Sequence, residues 1–167
     1  WTFHHSCHFL NEICVLMDTR TNPAVKVYHV RQKSCDEAPS EELTTTLIHF
    51  ADGATASLCD GTTIGGFNDT GAIGSDADVR MQGDRITVVG HGPTNPDGRP
   101  GNLTRNVREI EAPAGGKGLD RVFGLFADAV RSGDDSELMT FPRMVQEYHI
   151  LEAMARSAET GEAVEVG

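Results

Sequence analysis

The fold is decided by the stretch LTTTLIHF-ADG-ATASLC, which is residues 43–59. Its first run, residues 43–50, is rich in threonine and isoleucine, and β-branched side chains are enriched in strands. Asp52-Gly53 precedes the second run, residues 54–59, and this dipeptide is a strong hairpin signal because glycine readily adopts a positive φ. The sequence therefore predicts two antiparallel strands joined by a tight turn.

Other runs of β-formers predict further strands around this hairpin. The clearest is VKVYHVR, residues 25–31. The glycine-rich residues 61–74 and the proline-rich residues 91–102 are predicted to be loops instead. The remaining predicted strands are residues 79–82, 85–89, 103–110 and 163–166.

Three helices are predicted from the spacing of apolar residues. The first covers residues 8–17, the second covers residues 119–130, and the third follows a cap at Thr140 and ends at Gly161. The inward stripe of the third helix is predicted to be Met144, Tyr148, Leu151, Ala155 and Ala158. Central strands with helices at both ends indicate an α+β fold, in which helices cover one face of a mostly antiparallel open sheet.

Length and charge limit the classes to which this chain can belong. Its 167 residues fit one domain by the usual prior of about 100–200 residues per domain. The formal net charge of −11 argues against nucleic acid or an anionic membrane surface as a partner, because both attract clusters of lysine and arginine. The apolar stretches are broken by Asp, Gly or Thr and fall short of the roughly 20 residues that a membrane span needs.

The cysteines Cys7, Cys14, Cys35 and Cys59 are irregularly spaced. They are too few for a disulfide framework in a chain of this size, so we expect a protein of the reducing cytoplasm. Cys14 and Cys59 are predicted to be buried as small apolar side chains. The chain begins with Trp1 rather than Met, which suggests that the protein has residues upstream.

Three histidines and a cysteine, His4, His5, Cys7 and His8, are gathered where the first helix is predicted to start. Imidazole can bind a metal or act as a general acid or base. A metal-binding module would use all four side chains, but structural zinc usually takes its second pair of ligands from a distant segment, and the other histidines are isolated. The residues alone therefore leave open a metal site, a proton-transferring site and a merely structural helix start.

Five segments resemble, in order, the landmarks of one enzyme family. They are residues 4–18, 23–27, 50–54, 126–130 and 152–166, of which the last reads EAMARSAETGEAVEV. Together they are similar to the C-terminal domain of glucose-fructose oxidoreductase/inositol dehydrogenase-type enzymes, the Gfo/Idh/MocA family. The last segment is the most specific, because its helix, its Ser-Ala-x-Thr-Gly stop and its final strand follow in the family's order.

The resemblance implies a two-domain oxidoreductase. An N-terminal Rossmann domain, which is not in this chain, would bind most of the NAD or NADP. Residues 1–167 would then form a single domain for substrate binding and oligomerisation. The implied substrate is a small molecule, a sugar, cyclitol or similar polyol. The chain would lack the strand that precedes the first helix in the family, so we expect a fragment that is inactive alone.

The resemblance also implies the site residues. The family carries an Asp-x-x-x-His motif on this helix, and its histidine takes the hydroxyl proton, assisted by a lysine of the Rossmann domain. His8 matches the histidine, His4 occupies the aspartate position, and Asn11 replaces a frequent acidic residue. A carboxylate would stabilise the imidazolium of His8, whereas a second imidazole adds no negative charge. We expect His8 and His4 to be catalytic, and Asn11 and His5 to bind substrate.

The second face of such a sheet must contact either solvent or another subunit. We therefore expect a homodimer or homotetramer that assembles through the sheet face, with neither nucleic acid nor a membrane as partner. A catalytically silent assembly domain that self-associates in the same way is the main rival function.

Overall fold

The computed structural model describes residues 5–33, 35–38, 42–61, 69–74, 76–82, 85–90, 106–111, 118–136, 138 and 141–167. Their helices are α1 (Cys7–Leu16), α2 (Gly118–Ser132) and α3 (Phe141–Thr160). Their strands are β1 (Ala24–Gln32), β2 (Leu43–Phe50), β3 (Thr55–Gly61), β4 (Asp69–Ile73), β5 (Ala77–Gln82), β6 (Arg85–Gly90), β7 (Asn106–Glu111) and β8 (Val164–Glu165). The described strand pairs are all antiparallel, which confirms the predicted α+β class. Among these helices, none is long and apolar enough to cross a membrane.

The predicted hairpin consists of β2 and β3, joined by a three-residue turn. Phe50 N donates a hydrogen bond to Ala54 O at 3.0 Å, and His49 pairs with Thr55. Gly53 has a φ of 91° and donates from its backbone N to Phe50 O at 3.0 Å. A residue with a Cβ would be strained at that φ, so the Asp-Gly signal identified the turn correctly.

The strands form two four-stranded sheets rather than the single open sheet that we expected. The first sheet has the order β3-β2-β1-β8, and the second has the order β4-β5-β6-β7. The two sheets lie in different compact units. The first unit contains residues 1–65 and 129–167, and the second contains residues 66–128. The expectation of one sheet was wrong because periodicity identifies a strand and its buried face but not the strands that pair with it.

Residues 69–73, predicted to be part of a glycine-rich loop, form the strand β4. It pairs with β5, and the Asp69 carboxylate accepts hydrogen bonds from the side chains of Arg80 and Gln82. A Cβ at Gly71 would lie 2.8 Å from a backbone carbonyl oxygen of β5. Glycine therefore permits the close approach of the two strands here, and cross-strand pairing outweighs the loop-like composition.

The core of the first unit lies where α1 and α3 pack on the first sheet. Its buried apolar side chains are Leu10 and Cys14 of α1, Val27, Ile48 and Phe50 of the sheet, and Ile150, Leu151, Ala153 and Met154 of α3. Full burial of one large apolar side chain stabilises the fold by about 1.5–3 kcal/mol. This packing holds the first and last helices of the chain in contact with each other.

The buried face of α3 differs from the predicted stripe. Met144 and Tyr148, predicted to point inward, are 41% and 61% exposed. The residues that are buried are Glu147, Ile150, Leu151, Ala153, Met154 and Ser157. The prediction counted only apolar residues as buried and therefore left out Glu147 and Ser157. As a result, it placed the buried stripe on a different part of the helix surface. The predicted cap Thr140 lies outside the described residues.

The predicted end of α3 at Gly161 is confirmed, and Ser157 takes part in the hydrogen bonds that form this end. Gly161 has a φ of 72°, and its N donates to Ser157 O at 2.8 Å. The hydroxyl of Ser157 donates to Glu162 O at 2.6 Å and accepts a hydrogen bond from His29 N at 2.8 Å. One buried hydroxyl therefore connects the end of α3 to β1, next to the two-residue strand β8.

The helix α2 is confirmed, but its apolar stripe is exposed. The large apolar side chains of the stripe are all more than half exposed, and no residue of α2 is buried; they are Leu119, Val122, Phe123, Phe126 and Val130.

Candidate functional site

Three of the predicted site residues, His5, His8 and Asn11, lie at or just before the start of α1. A π-helical turn at His5 and Ser6 leads into the α-helix, which begins at Cys7. Ser6 and Leu10, four residues apart, are completely buried on one face. His8 lies between them in sequence, on the opposite side of the helix, and is exposed. The core thus anchors the first turn and leaves the His8 imidazole accessible.

Two of the clustered histidines, His5 and His8, lie side by side. Their ring centroids are 6.2 Å apart and the ring planes are perpendicular. His4 lies outside the described residues, so its catalytic role beside His8 stays a prediction. In the part of the chain that the structure describes, no group of three or more His, Cys, Asp or Glu side chains is arranged to hold a metal ion.

The structure adds an acidic residue to this site from the far end of the chain. Asn11 Nδ2 donates a hydrogen bond to Glu147 Oε2 at 3.2 Å, which connects α1 to α3. Glu147 is only 8% exposed. In this contact the amide nitrogen of Asn11 is the donor and the Glu147 carboxyl oxygen is the acceptor. Asn11 follows His8 by three residues, so the two side chains are neighbours on the helix surface.

Burial dominates the electrostatics of Glu147. Loss of contact with water raises the pKa of its carboxyl, while the Asn11 hydrogen bond and the nearby His8 imidazole partly lower it. Asn11 and His8 therefore favour the ionised carboxylate, and burial favours the neutral acid. The charge of Glu147 is consequently sensitive to changes at the start of α1.

Cys14 lies in the same region and is fully buried. Burial raises the pKa of its thiol to about 11, and the charge of Glu147 acts in the same direction. The thiol is therefore neutral at physiological pH and packs as a small apolar side chain, as predicted. The matching prediction for Cys59 was wrong, because Cys59 lies on the more exposed face of β3. None of the four cysteines forms a disulfide bond.

Glu147 is the site residue that sequence reasoning missed. It precedes Ile150 by three residues and Met154 by seven, which is the spacing of one helix face. A charged side chain in register with buried apolar residues is almost never fully buried without a partner. This spacing could have indicated from the sequence that Glu147 is buried beside a partner. In the structure that partner is Asn11.

A cleft of about 460 Å³ opens elsewhere on the first unit. Its walls include Thr19 and Ala24 near the start of β1, and Gln146 and His149 of α3. The cleft contains none of the predicted site residues, so the accessible imidazole of His8 stands outside it.

The described strand pairs do not include the parallel βαβ unit of the usual nicotinamide dinucleotide site. In the usual site, the pyrophosphate lies at the N-terminus of a helix that follows a parallel strand in a βαβ unit. The strand pairs described in this chain are all antiparallel. The start of α1 presents an exposed imidazole, that of His8, beside the hydrogen-bonded amide of Asn11.

No family model matches the sequence. No curated protein is matched by sequence either.

Solved structures are similar in fold. An NAD binding oxidoreductase from Klebsiella pneumoniae is 18% identical, with a TM-score of 0.74 over 96% of this chain and 49% of that chain. An aldose-aldose oxidoreductase from Caulobacter crescentus, complexed with glycerol, is 16% identical, with a TM-score of 0.73 over 95% of this chain and 45% of that chain.

A third structure is an oxidoreductase from Agrobacterium radiobacter in complex with NAD+, L-tartaric acid and magnesium. It is 16% identical, with a TM-score of 0.70 over 98% of this chain and 48% of that chain. The chain thus spans about half the length of each of these three oxidoreductases. At such identities the likeness establishes the fold, and the fold is that of the C-terminal domain of Gfo/Idh/MocA-type oxidoreductases.

Proposed function

We propose that this chain is the substrate-binding and oligomerisation domain of an NAD(P)-dependent oxidoreductase that acts on a hydroxyl or carbonyl of a sugar, cyclitol or similar polyol. The observation that carries the proposal is the arrangement at the start of α1. There, an accessible histidine, His8, stands beside Asn11, whose amide is held by the buried carboxylate of Glu147. The shared fold with NAD(P)-type oxidoreductases supports the same interpretation.

In the proposed oxidation, His8 is the general base. The substrate hydroxyl gives its proton to the imidazole, and the carbinol hydrogen leaves with the electron pair of its C–H bond, so the C–O bond becomes a carbonyl. NAD or NADP, held by the proposed second domain, would supply the acceptor for that hydride. Asn11 and His5 hydrogen-bond the other hydroxyls of the substrate, since amide and imidazole side chains both donate and accept.

The cofactor is assigned to a second domain of the same protein. The proposal places most of the NAD or NADP on an N-terminal Rossmann domain outside this chain, which also contributes a lysine beside His8. That domain supplies the second wall of the substrate site, because His8 itself is exposed. The proposed location is the cytoplasm, where thiols stay reduced, since none of the four cysteines here forms a disulfide bond.

The proposed substrate class follows from the hydrogen-bonding side chains near His8. Two of the structures that share this fold hold small polyhydroxylated molecules, L-tartaric acid and glycerol. A polyol or sugar presents adjacent hydroxyls, of which one can face His8 while a neighbour contacts Asn11. This supports a polyol rather than a substrate with a single isolated hydroxyl.

Oligomerisation through the first sheet belongs to the same proposal. Tyr28 of β1 is paired with Leu47 of β2, and their side chains are 41% and 38% exposed. Exposed apolar side chains at paired positions suit contact with a second subunit. The same observation favours the rival function, a silent assembly domain. Loss of self-association in Leu47→Glu, but not in the control Leu16→Glu on α1, would support the sheet contact for either function.

Activity separates the two functions. The complete protein, incubated with a panel of sugars, cyclitols and short polyols and with NAD+ or NADP+, is expected to form reduced nicotinamide with at least one of them. Failure to reduce either cofactor with any polyol, and failure to oxidise reduced cofactor with the corresponding carbonyl compounds, would contradict the proposal. Self-association without such activity would favour the assembly domain.

A further inference from the structure

The helix α2 carries a continuous apolar surface that is exposed along its whole length. Four of its large apolar residues lie three, four, seven and eleven positions after Leu119, which places all five on one side of the helix. These five side chains are between 55% and 71% exposed; they are Leu119, Val122, Phe123, Phe126 and Val130. No residue of α2 is buried. A contiguous exposed apolar surface of this kind marks a site of contact with another protein surface.

The charged residues beside this stripe suit a second copy of the same helix. Asp120 follows Leu119 and Arg131 follows Val130, so each stands about 100° around the helix from a stripe residue, on the same flank. Both are exposed. The aspartate lies in the first turn and the arginine in the last turn. This flank is therefore acidic at one end of α2 and basic at the other.

An antiparallel pair of α2 helices brings these opposite charges together. In such a pair, related by a two-fold axis, like flanks face each other and the start of one helix meets the end of the other. Asp120 of each copy then faces Arg131 of the other copy. A parallel pair would instead bring the two starts together and set this flank against the opposite one. The centre of the antiparallel pair falls between residues 125 and 126, so Phe126 lies at the middle, where the aromatic anchors of interfaces cluster.

The area of the stripe is enough for a weak dimer. A fully buried aromatic side chain covers about 150–250 Å², so the two half-exposed phenylalanines offer roughly 200 Å² and the five residues together about 500 Å² per copy. Two copies would then bury about 1,000 Å² in total, the lower limit for a specific interface. We therefore expect an association that depends on protein concentration.

We propose that the apolar stripe of α2 is a self-association surface, on which the same stripe of a second copy packs in the antiparallel direction. This contact is additional to the one proposed for the first sheet. It does not depend on dehydrogenase activity.

The first test measures the mass of the complete protein by analytical ultracentrifugation over a range of concentrations. Phe126→Glu places a charge at the centre of the pair in both copies and is expected to raise the Kd of the α2 contact at least about tenfold. The assembly should then divide into smaller species. Ile73→Glu is the control, because Ile73 is 91% exposed on β4. Circular dichroism checks that both variants fold. An unchanged mass distribution in folded Phe126→Glu would overturn the proposal.

The second test examines the antiparallel direction through exposed charges. Asp120→Lys places like charges at both ends of the pair and is expected to raise the Kd about tenfold, since two ion pairs are lost and replaced by repulsion. Adding Arg131→Glu to this variant is expected to restore the wild-type Kd. The helix itself cannot supply that recovery, because both substitutions oppose its dipole. Asp128→Lys is the control: it changes the charge equally but lies two residues after Phe126, about 200° around the helix. A double variant as weak as Asp120→Lys would overturn the antiparallel pair.

The same measurements identify a different occupant of the stripe. If another domain of the same protein covers α2, Phe126→Glu is expected to lower the melting temperature of the complete protein without changing its mass. That result would overturn self-association through α2, as would a wild type that stays monomeric at every concentration.

Discussion

The hydroxyl of Ser157 accepts a hydrogen bond of 2.8 Å from the backbone N–H of His29, 128 residues earlier in the chain. The same hydroxyl donates to Glu162 O at 2.6 Å, and Ser157 is completely buried. The tail segment that most resembles the Gfo/Idh/MocA family therefore contains a structural contact that joins the last helix to the first strand. Its serine has a role in the fold rather than at the candidate site.

Replacing Ser157 by Ala is expected to lower the free energy of unfolding by about 1–3 kcal/mol. The substitution leaves a buried N–H and a carbonyl without this partner, and each unpaired buried group carries a desolvation penalty. Urea denaturation followed by circular dichroism measures the change. Thr160→Ala is the control, because Thr160 is exposed and its hydroxyl bonds only within the same end of the helix, to Arg156 O and from Glu162 N. Equal stabilities of the two variants would contradict the structural role.

Leu10 and Leu16 of α1 test whether that helix is held by the core. Leu10 is completely buried and Leu16 is 58% exposed. Leu10→Ala is expected to cost about 2–5 kcal/mol of unfolding free energy, because it removes buried apolar contacts and leaves a cavity. Leu16→Ala is expected to change stability by no more than about 0.5 kcal/mol. Similar losses for both would show that α1 does not pack as described.

The cysteines are expected to differ in reactivity toward iodoacetamide under native conditions. Cys14 is buried and its pKa is raised to about 11, so almost none of it is the reactive thiolate at neutral pH. Cys35 and Cys59 are exposed. Mass spectrometry of the labelled protein should find these two modified and Cys14 protected until denaturant is added. Native labelling of Cys14 at the rate of Cys59 would contradict its burial.

Glu147 is expected to make stability depend on pH. Its pKa is raised in the folded protein, so the folded state binds the proton more tightly than the unfolded chain does. The resulting stability is fully present below the unfolded pKa of about 4.3 and is lost as pH rises through the folded value. The wild type should therefore lose stability relative to Glu147→Gln as the pH rises above about 4.3.

Urea denaturation at several pH values measures this difference, with Glu152→Gln as the exposed control. Parallel stability profiles for the wild type and Glu147→Gln would show that burial does not perturb the acid.

Local chemistry explains which elements the sequence could predict. The β2–β3 hairpin follows from Asp52-Gly53, because the turn needs a residue that accepts a φ of 91° at Gly53. The end of α3 follows in the same way from Gly161. The strand β4 could not be predicted from its glycine-rich composition, because its pairing with β5 is a contact between strands.

The candidate site was predictable only in part. His8 and Asn11 are three residues apart, and a helix over residues 8–17 is enough to place them together on its surface. Glu147 is 136 residues from Asn11, so only the packing of α3 on α1 joins the two. Counting only apolar residues as the inward stripe of α3 also removed Glu147 from consideration. Whether His4 stands beside His8, as the resemblance implies, stays a prediction.

The proposed function depends most directly on whether His8 is the proton acceptor in the complete protein. Steady-state turnover of a polyol substrate, together with the cofactor Kd, is to be measured for the wild type, for His8→Ala and for the control His49→Ala on β2. His8→Ala is expected to lower kcat by roughly 10²–10⁴-fold with little change in cofactor Kd, the usual contribution of a positioned base. His49→Ala is expected to keep the wild-type kcat. Wild-type turnover in His8→Ala would contradict the central claim.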